Sequence, residues 1–187
     1  MAEPTSSSAR HAIRAEVELI NPLDRLESDT KSDVLAWIDS GAELCRLRKP
    51  ACPDKHLVSY FALIDDRQVL LVDHINAGLW LPTGGHVEPG EHPRDTALRE
   101  VTEELSIQGT FLVDGPVLLT STTTVGRTAG HTDVSLWYAL RGSMGWNLKF
   151  DQSEFRSVRW FPFDNVPQHA TDPEMHRFLA KLQAVTA

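Results

Sequence analysis

The sequence is short of basic residues, of cysteine and of long apolar runs, and each shortage removes a class of function. Lysine and arginine number 18 against 26 aspartates and glutamates, so the formal net charge is −8. A surface of that sign repels nucleic-acid polymers and anionic lipid, which argues against non-specific binding of either. Any polyanionic ligand must then meet something that locally reverses the sign. No run of about 18 apolar residues occurs, which leaves no candidate for a membrane-spanning helix. The opening Met1-Ala2-Glu3-Pro4-Thr5-Ser6-Ser7-Ser8 has no basic segment followed by an apolar one. No secretory signal is therefore expected, and a cytoplasmic location is. The two cysteines, Cys45 and Cys52, lack C-x-x-C spacing and fit two free thiols in a reducing compartment.

What is present is a chain of 187 residues, 41% hydrophobic and 24% charged, the size and composition of one globular domain with a modest extension. Residues 1–10 read as a frayed polar tail. A helical pattern runs over 23–48, with Val34, Leu35, Trp37 and Ile38 as its apolar stripe, Ser32 as N-cap and Gly41 as a stop. A second short helical run over 42–47 ends in the basic Arg46, Arg48 and Lys49. Residues 1–50 thus read as a tail and helical extension, and 51–187 as the main domain. There, strand signals fall at 57–64, 68–73, 110–113, 117–125, 132–140 and 158–163. Helices are predicted at 93–105 and 172–184, and Pro82-Thr83-Gly84-Gly85 reads as a loop. Strands on both sides of a mid-chain helix predict an α/β fold in which helices cover a mixed sheet.

The chemistry-bearing segment is Gly84-Gly85-His86-Val87-Glu88-Pro89-Gly90-Glu91-His92-Pro93, leading into Arg99-Glu100-Val101-Thr102-Glu103-Glu104-Leu105. On a helix, Glu100, Glu103 and Glu104 fall within one arc of roughly 100°, while Leu98, Val101 and Leu105 face the core. Gathering three carboxylates costs helix stability through like-charge repulsion. A divalent cation compensates for it, and all-oxygen ligation suits Mg²⁺ or Mn²⁺. An isolated E-x-x-E-E is more often a solvated acidic face. The loop in front tips the balance, because paired glycines admit a ligand close to the backbone and Pro89-Gly90 enforces a tight turn.

The whole segment resembles the Nudix hydrolase box, G-x5-E-x7-R-E-U-x-E-E-x-G-U, where U is a bulky aliphatic residue. Gly85, Glu91, Arg99-Glu100, Val101, Glu103-Glu104 and Ile107 fill its positions, and Ser106 stands where the box has glycine. That glycine ends the helix, so Ser106 is expected to strain the C-cap without touching a metal. The resemblance covers about residues 55–165. It implies a Nudix fold, an α/β/α sandwich around a mixed sheet, carrying here an N-terminal helical extension. It implies that Glu100, Glu103 and Glu104, with a backbone carbonyl of Gly84 or Gly85, hold the metal, and that Arg99 pairs with Glu91. Glu154, in an acidic segment ahead of the aromatic Trp160-Phe161, is the candidate for a further ligand or general base. Glu91, Arg99, Glu100, Glu103, Glu104 and Glu154 are thus the expected catalytic set.

Substrate contacts are assigned to Trp80, which either stacks on a base or packs in the core. They are also assigned to His131 and Asp133, which either line the pocket or form a structural pair. The expected reaction is hydrolysis of a diphosphate bond in a small nucleoside diphosphate derivative, with Glu100 or Glu154 as base. Branches that cleave ADP-ribose, diadenosine polyphosphates, NADH or coenzyme A are expected to carry extra landmarks, but Thr122, Thr123 and Thr124 stand where a proline or tyrosine would, and no S-Q-P-W-P-F-type run occurs. By elimination the sequence looks MutT-like, taking a (deoxy)nucleoside triphosphate, with ADP-ribose or a nucleotide sugar as the alternative. A homodimer stays open. A non-catalytic nucleotide sensor would show a degraded box, whereas this one is intact. A Nudix-fold isomerase would want a cysteine near its carboxylates, and Cys45 and Cys52 both precede the first core strand.

Overall fold

A computed structural model of the chain describes residues 5–49, 51–124 and 130–186. Its organising element is β1 (Lys55–Asp65), buried along nearly its whole length. Leu57, Phe61 and Leu63 enter one hydrophobic cluster while Ala62 and Ile64 enter another, because successive strand residues face opposite ways. β6 (Thr132–Arg141) repeats the pattern, sending Val134, Leu136, Tyr138 and Leu140 one way and Trp137 and Ala139 the other. Strands covered on both faces read as near-continuous apolar runs.

β6 pairs with β1 in parallel, His56 opposite Asp133 and Ile64 opposite Arg141, and β5 (Leu118–Thr123) adds antiparallel to β6. On its other edge β1 first pairs with β4 (Thr83–His86) and then turns at Asp65 into β2 (Gln68–His74). β2 is flanked by β3 (Leu79–Leu81) and by β7 (Phe155–Pro162). The diverging β1 and β2 form a fork that segment 79–86 fills, β3 lying on β2 and β4 on β1. α1 (Ser7–Leu19), α2 (Arg25–Asp39) and α3 (Pro93–Leu105) supply residues to the first cluster, and α4 (Met175–Thr186) supplies residues to the second. The result is an α/β/α sandwich around a mixed sheet. At its edge the buried Glu27 of α2 accepts from Lys181 Nζ of α4 at 2.6 Å and from the Leu119 N–H of β5 at 3.0 Å.

Several elements depart from the sequence reading. The polar start is helical from Ser7, capped by Ser6, whose hydroxyl accepts from Ala9 N–H. The second helix begins at Arg25 under the N-cap of Asp24, not at Ser32; the Ser32 hydroxyl instead donates to the Ser28 carbonyl within the helix. Asp24 also begins an Asp-x-x-Glu box with Glu27, a stronger start signal. Segment 42–47 is not helical. The Glu43 carboxylate accepts from the Leu44 and Cys45 N–H groups, and the Leu44 carbonyl accepts from Leu57 N–H, so these groups are taken out of any helical ladder. Segment 110–113 forms no strand but a single bridge, Phe111 to Leu140. Thr83–His86 is a strand rather than a loop, and α4 starts at Met175 rather than 172. Val125, the predicted end of β5, lies outside the described residues.

Candidate active site

α3 is placed by local signals at both ends. His92 caps it by accepting from Arg94 N–H, Pro93 occupies its first turn, and Ser106 closes it in the left-handed region at φ 55°. Val101 and Leu105 are buried on the core side, so the helix period turns Glu100, Glu103 and Glu104 away toward β4. Contact with that strand is close. A Cβ on Gly85 would stand 1.9 Å from Glu100 Oε1, and one on Gly84 would stand 2.2 Å from the Ser59 carbonyl oxygen. Glycine, with no Cβ, is therefore the residue both positions have room for.

Arg99 organises the loop. Its Nε donates to Glu91 Oε1 at 2.9 Å and its Nη2 to Oε2 at 3.1 Å, while Nη1 reaches Glu100 at 2.8 Å and Glu103 at 3.3 Å. Glu91 also accepts from the Thr96 hydroxyl and the Glu88 N–H. Burial pushes the Glu91 carboxyl upward, but these donors outweigh it and hold the group below the usual carboxylate range.

Glu104 has no such donors. Burial, then the charges of Glu100 and Glu154, push its carboxyl up to about 9, eased only by the nearby Gly84 N–H. Its Oε2 is buried and has no hydrogen-bond partner among the described residues. Burial likewise raises Glu100, against the pull of Arg99. Carboxylates crowded to this degree, with an orphaned oxygen among them, are a donor set that fits a hard divalent cation.

These groups line a cleft of about 740 Å³. The 151–154 segment closes one end, tethered where Asp151 N–H donates to the Glu104 carbonyl at 3.0 Å, which brings Glu154 in to join the glutamates. Arg46, Arg48 and Lys49 line the cleft as well. From sequence these three could reach a phosphate, with a solvated helix end as the favoured reading. The irregular path of 42–49 carries them to the carboxylates instead, and burial lowers the Arg46 guanidinium while Asp133 raises it. Their clustering before Pro50 was a visible signal; the fold that delivers them was not.

The NUDIX domain family matches residues 55–182 of the sequence. The chain belongs to the NUDIX family. It is 32% identical to the asymmetrical bis(5'-nucleosyl)-tetraphosphatase of Rattus norvegicus across 112 residues, 56% of this chain and 75% of that one. The mouse counterpart is 31% identical over the same length. Among solved structures, a MutT NUDIX hydrolase from Burkholderia pseudomallei superposes with a TM-score of 0.54 at 21% identity, over 68% of this chain and 98% of that one. A C. elegans Ap4A hydrolase superposes with a TM-score of 0.53 at 23% identity, over 71% and 95%. These structures share the fold; with the box, the family match and the relatives, the chain is a Nudix pyrophosphohydrolase.

The Nudix cleft gathers Gly84, Gly85, Arg99, Glu100, Glu103, Glu104 and Glu154, with Glu91 held behind them by Arg99. Trp80, His131 and Asp133 lie elsewhere. Trp80 is on β3, its ring edge-on to Phe161 at 5.1 Å and its carbonyl bonded to Thr171. His131 and Asp133 meet His56 and His86 where β1, β4 and β6 come together. His56 and His86 had no role in the sequence reading, because only the β1–β6 and β1–β4 pairings bring them there. Burial first, then the positive charge of the neighbouring Arg46, press the His86 imidazole down to about 4. No helix among the described residues is long and apolar enough to cross a membrane.

Proposed function

We propose that this Nudix hydrolase cleaves a phosphoanhydride bond in a nucleoside polyphosphate, with a dinucleoside polyphosphate as the favoured substrate. The observation that carries the reading is the opposition, within one cleft, of Glu100, Glu104 and Glu154 to Arg46, Arg48 and Lys49. A polyphosphate chain needs both: cations to bind it and carboxylates to manage metal and proton. Glu100, Glu103 and Glu104, with a Gly84 or Gly85 carbonyl and Glu154, are the residues that would hold divalent metal, Mg²⁺ or Mn²⁺ by their oxygen donors. Such ions neutralise phosphate oxygens and lower the pKa of a bound water. Arg46, Arg48 and Lys49 bind the phosphates remote from the reacting one. Arg99 fixes Glu91 and so the loop bearing Glu88 to Glu91. Glu100 or Glu154 takes the proton of the attacking water as its oxygen bonds to phosphorus and the bridging P–O bond breaks.

The dinucleoside substrate is supported by the rat and mouse relatives, which are named as tetraphosphatases of that class. The triphosphate reading rests only on landmarks the sequence lacks. A panel of dinucleoside tetraphosphate, dNTPs, NTPs, ADP-ribose and nucleotide sugars with Mg²⁺ decides between them. A kcat/KM at least tenfold higher for the dinucleoside compound is expected. A higher value for a dNTP or ADP-ribose would replace the substrate, and no turnover of any compound would overturn the reading.

A further inference from the structure

Beneath the glycine strand, four side chains from three strands and one connection aim their polar atoms at one point. One ligand atom from each of His56, His86, His131 and Asp133 lies within 4.8 Å of those of the other three. His56 is fully buried and His131 is 8% exposed. Among the described residues, His56 Nε2, His86 Nε2 and Asp133 Oδ1 have no hydrogen-bond partner. The imidazoles of His56 and His131 stack with centroids 5.1 Å apart, and His86 lies 4.9 Å from His56.

Hydrogen bonds on the far side set which nitrogen is bare. His56 Nδ1 lies 2.8 Å from the Pro53 carbonyl, which can only accept, so Nδ1 carries a proton, and in the neutral imidazole Nε2 presents its lone pair. His131 Nδ1 lies 3.0 Å from Thr124 Oγ1, whose hydroxyl donates to the His131 carbonyl. With Nδ1 engaged there, Nε2 is the nitrogen that His131 turns toward Asp133. Both Nε2 atoms stand 3.3 Å from Asp133 Oδ1, yet neither is aligned to donate to it. Lone pairs and a carboxylate this close, out of water, repel unless a cation sits among them. The two 3.3 Å contacts to Asp133 Oδ1 match the separation of about 3.3–3.4 Å between ligands about 2.0–2.1 Å from a tetrahedral Zn²⁺.

We propose that His56, His86, His131 and Asp133 form a closed His₃Asp site for a borderline transition-metal ion, Zn²⁺ by preference, beside the carboxylate cleft, whose lining His86 shares. Three imidazoles with one carboxylate select such an ion over Mg²⁺ or Ca²⁺. Four protein ligands leave no open position, so the ion is structural. It ties β4, through His86, to β1 and β6, and so holds Gly84 and Gly85 against α3.

Co²⁺ serves as the spectroscopic probe, added to metal-stripped full-length protein. The first equivalent of Co²⁺ is expected to give the intense visible bands of four-coordinate cobalt, and Zn²⁺ should displace it and raise Tm by several degrees. Glu104→Gln should keep the bands, whereas Asp133→Asn and His131→Gln should lose them. Bands that vanish in Glu104→Gln but persist in Asp133→Asn would overturn the site. So would weak octahedral bands only, or no shift of Tm with Zn²⁺. Should the cluster variants not fold, X-ray absorption of the wild-type zinc complex decides. Scattering from at least two imidazoles supports the site, and oxygen ligation alone overturns it.

Discussion

Gly85 leaves a space that any other residue would fill, since a Cβ there would stand 1.9 Å from Glu100 Oε1. Gly85→Ala is expected to displace the Glu100 side chain and lower kcat/KM at least tenfold while circular dichroism stays native, because the atom that must yield ends a flexible side chain. Unchanged kinetics would mean that Glu100 does not act from this position. Glu91 makes a different contribution. Its carboxyl is held below the ordinary value of 4.5, so the stability it adds is present above that pH and is lost as pH falls through the folded value. Glu91→Gln should cost about 1–3 kcal/mol at neutral pH. The gap from wild type in urea melts should close in acid. All the box residues were legible because their spacing lies within one loop and one helix. The role of His56 and the placing of Arg46 in the cleft were not, because their neighbours come from distant chain.

The start and length of α3 followed from Pro93 and the periodicity of Val101 and Leu105, and the structure has the helix over those residues. Its end carries the expected strain: Ser106 sits at φ 55° and ψ 36°, where a Cβ crowds the following carbonyl. Ser106→Gly is expected to stabilise the protein by about 0.5–1 kcal/mol, net of the extra entropy glycine loses on folding. Denaturant midpoints at constant slope would measure it; a lower midpoint would show that the serine side chain compensates. α1 escaped sequence reasoning because its buried face combines Ile13 and Val17 with Glu16, a polar residue that blurs the apolar stripe. Glu16 is explained only by the fold, where it accepts from the Tyr138 hydroxyl at 2.9 Å and faces His92 at 3.4 Å. In that position α1 braces the cap of the helix that bears the glutamates.

Over the whole molecule, the alternation of strand and helix signals was enough to indicate a mixed sheet between helices. The order of strands was not, because it depends on which distant edges meet. The net charge of −8 set the puzzle of how such a chain meets a polyanion. Metal held at the glutamates would be one answer, and the basic segment folded into the cleft adds a second. Combining Arg46→Ala with Arg48→Ala should raise KM for a polyphosphate substrate about tenfold with kcat little changed, the signature of lost uniform binding. An equal fall in kcat with KM unmoved would place those cations at the reacting phosphate instead. The most direct measurement compares Mg²⁺-dependent hydrolysis of dinucleoside tetraphosphate by wild type and Glu104→Gln, both confirmed folded. Turnover by the variant is expected to fall ~10²-fold or more. Equal turnover by the two proteins would contradict the assignment of catalysis to the glutamate cluster.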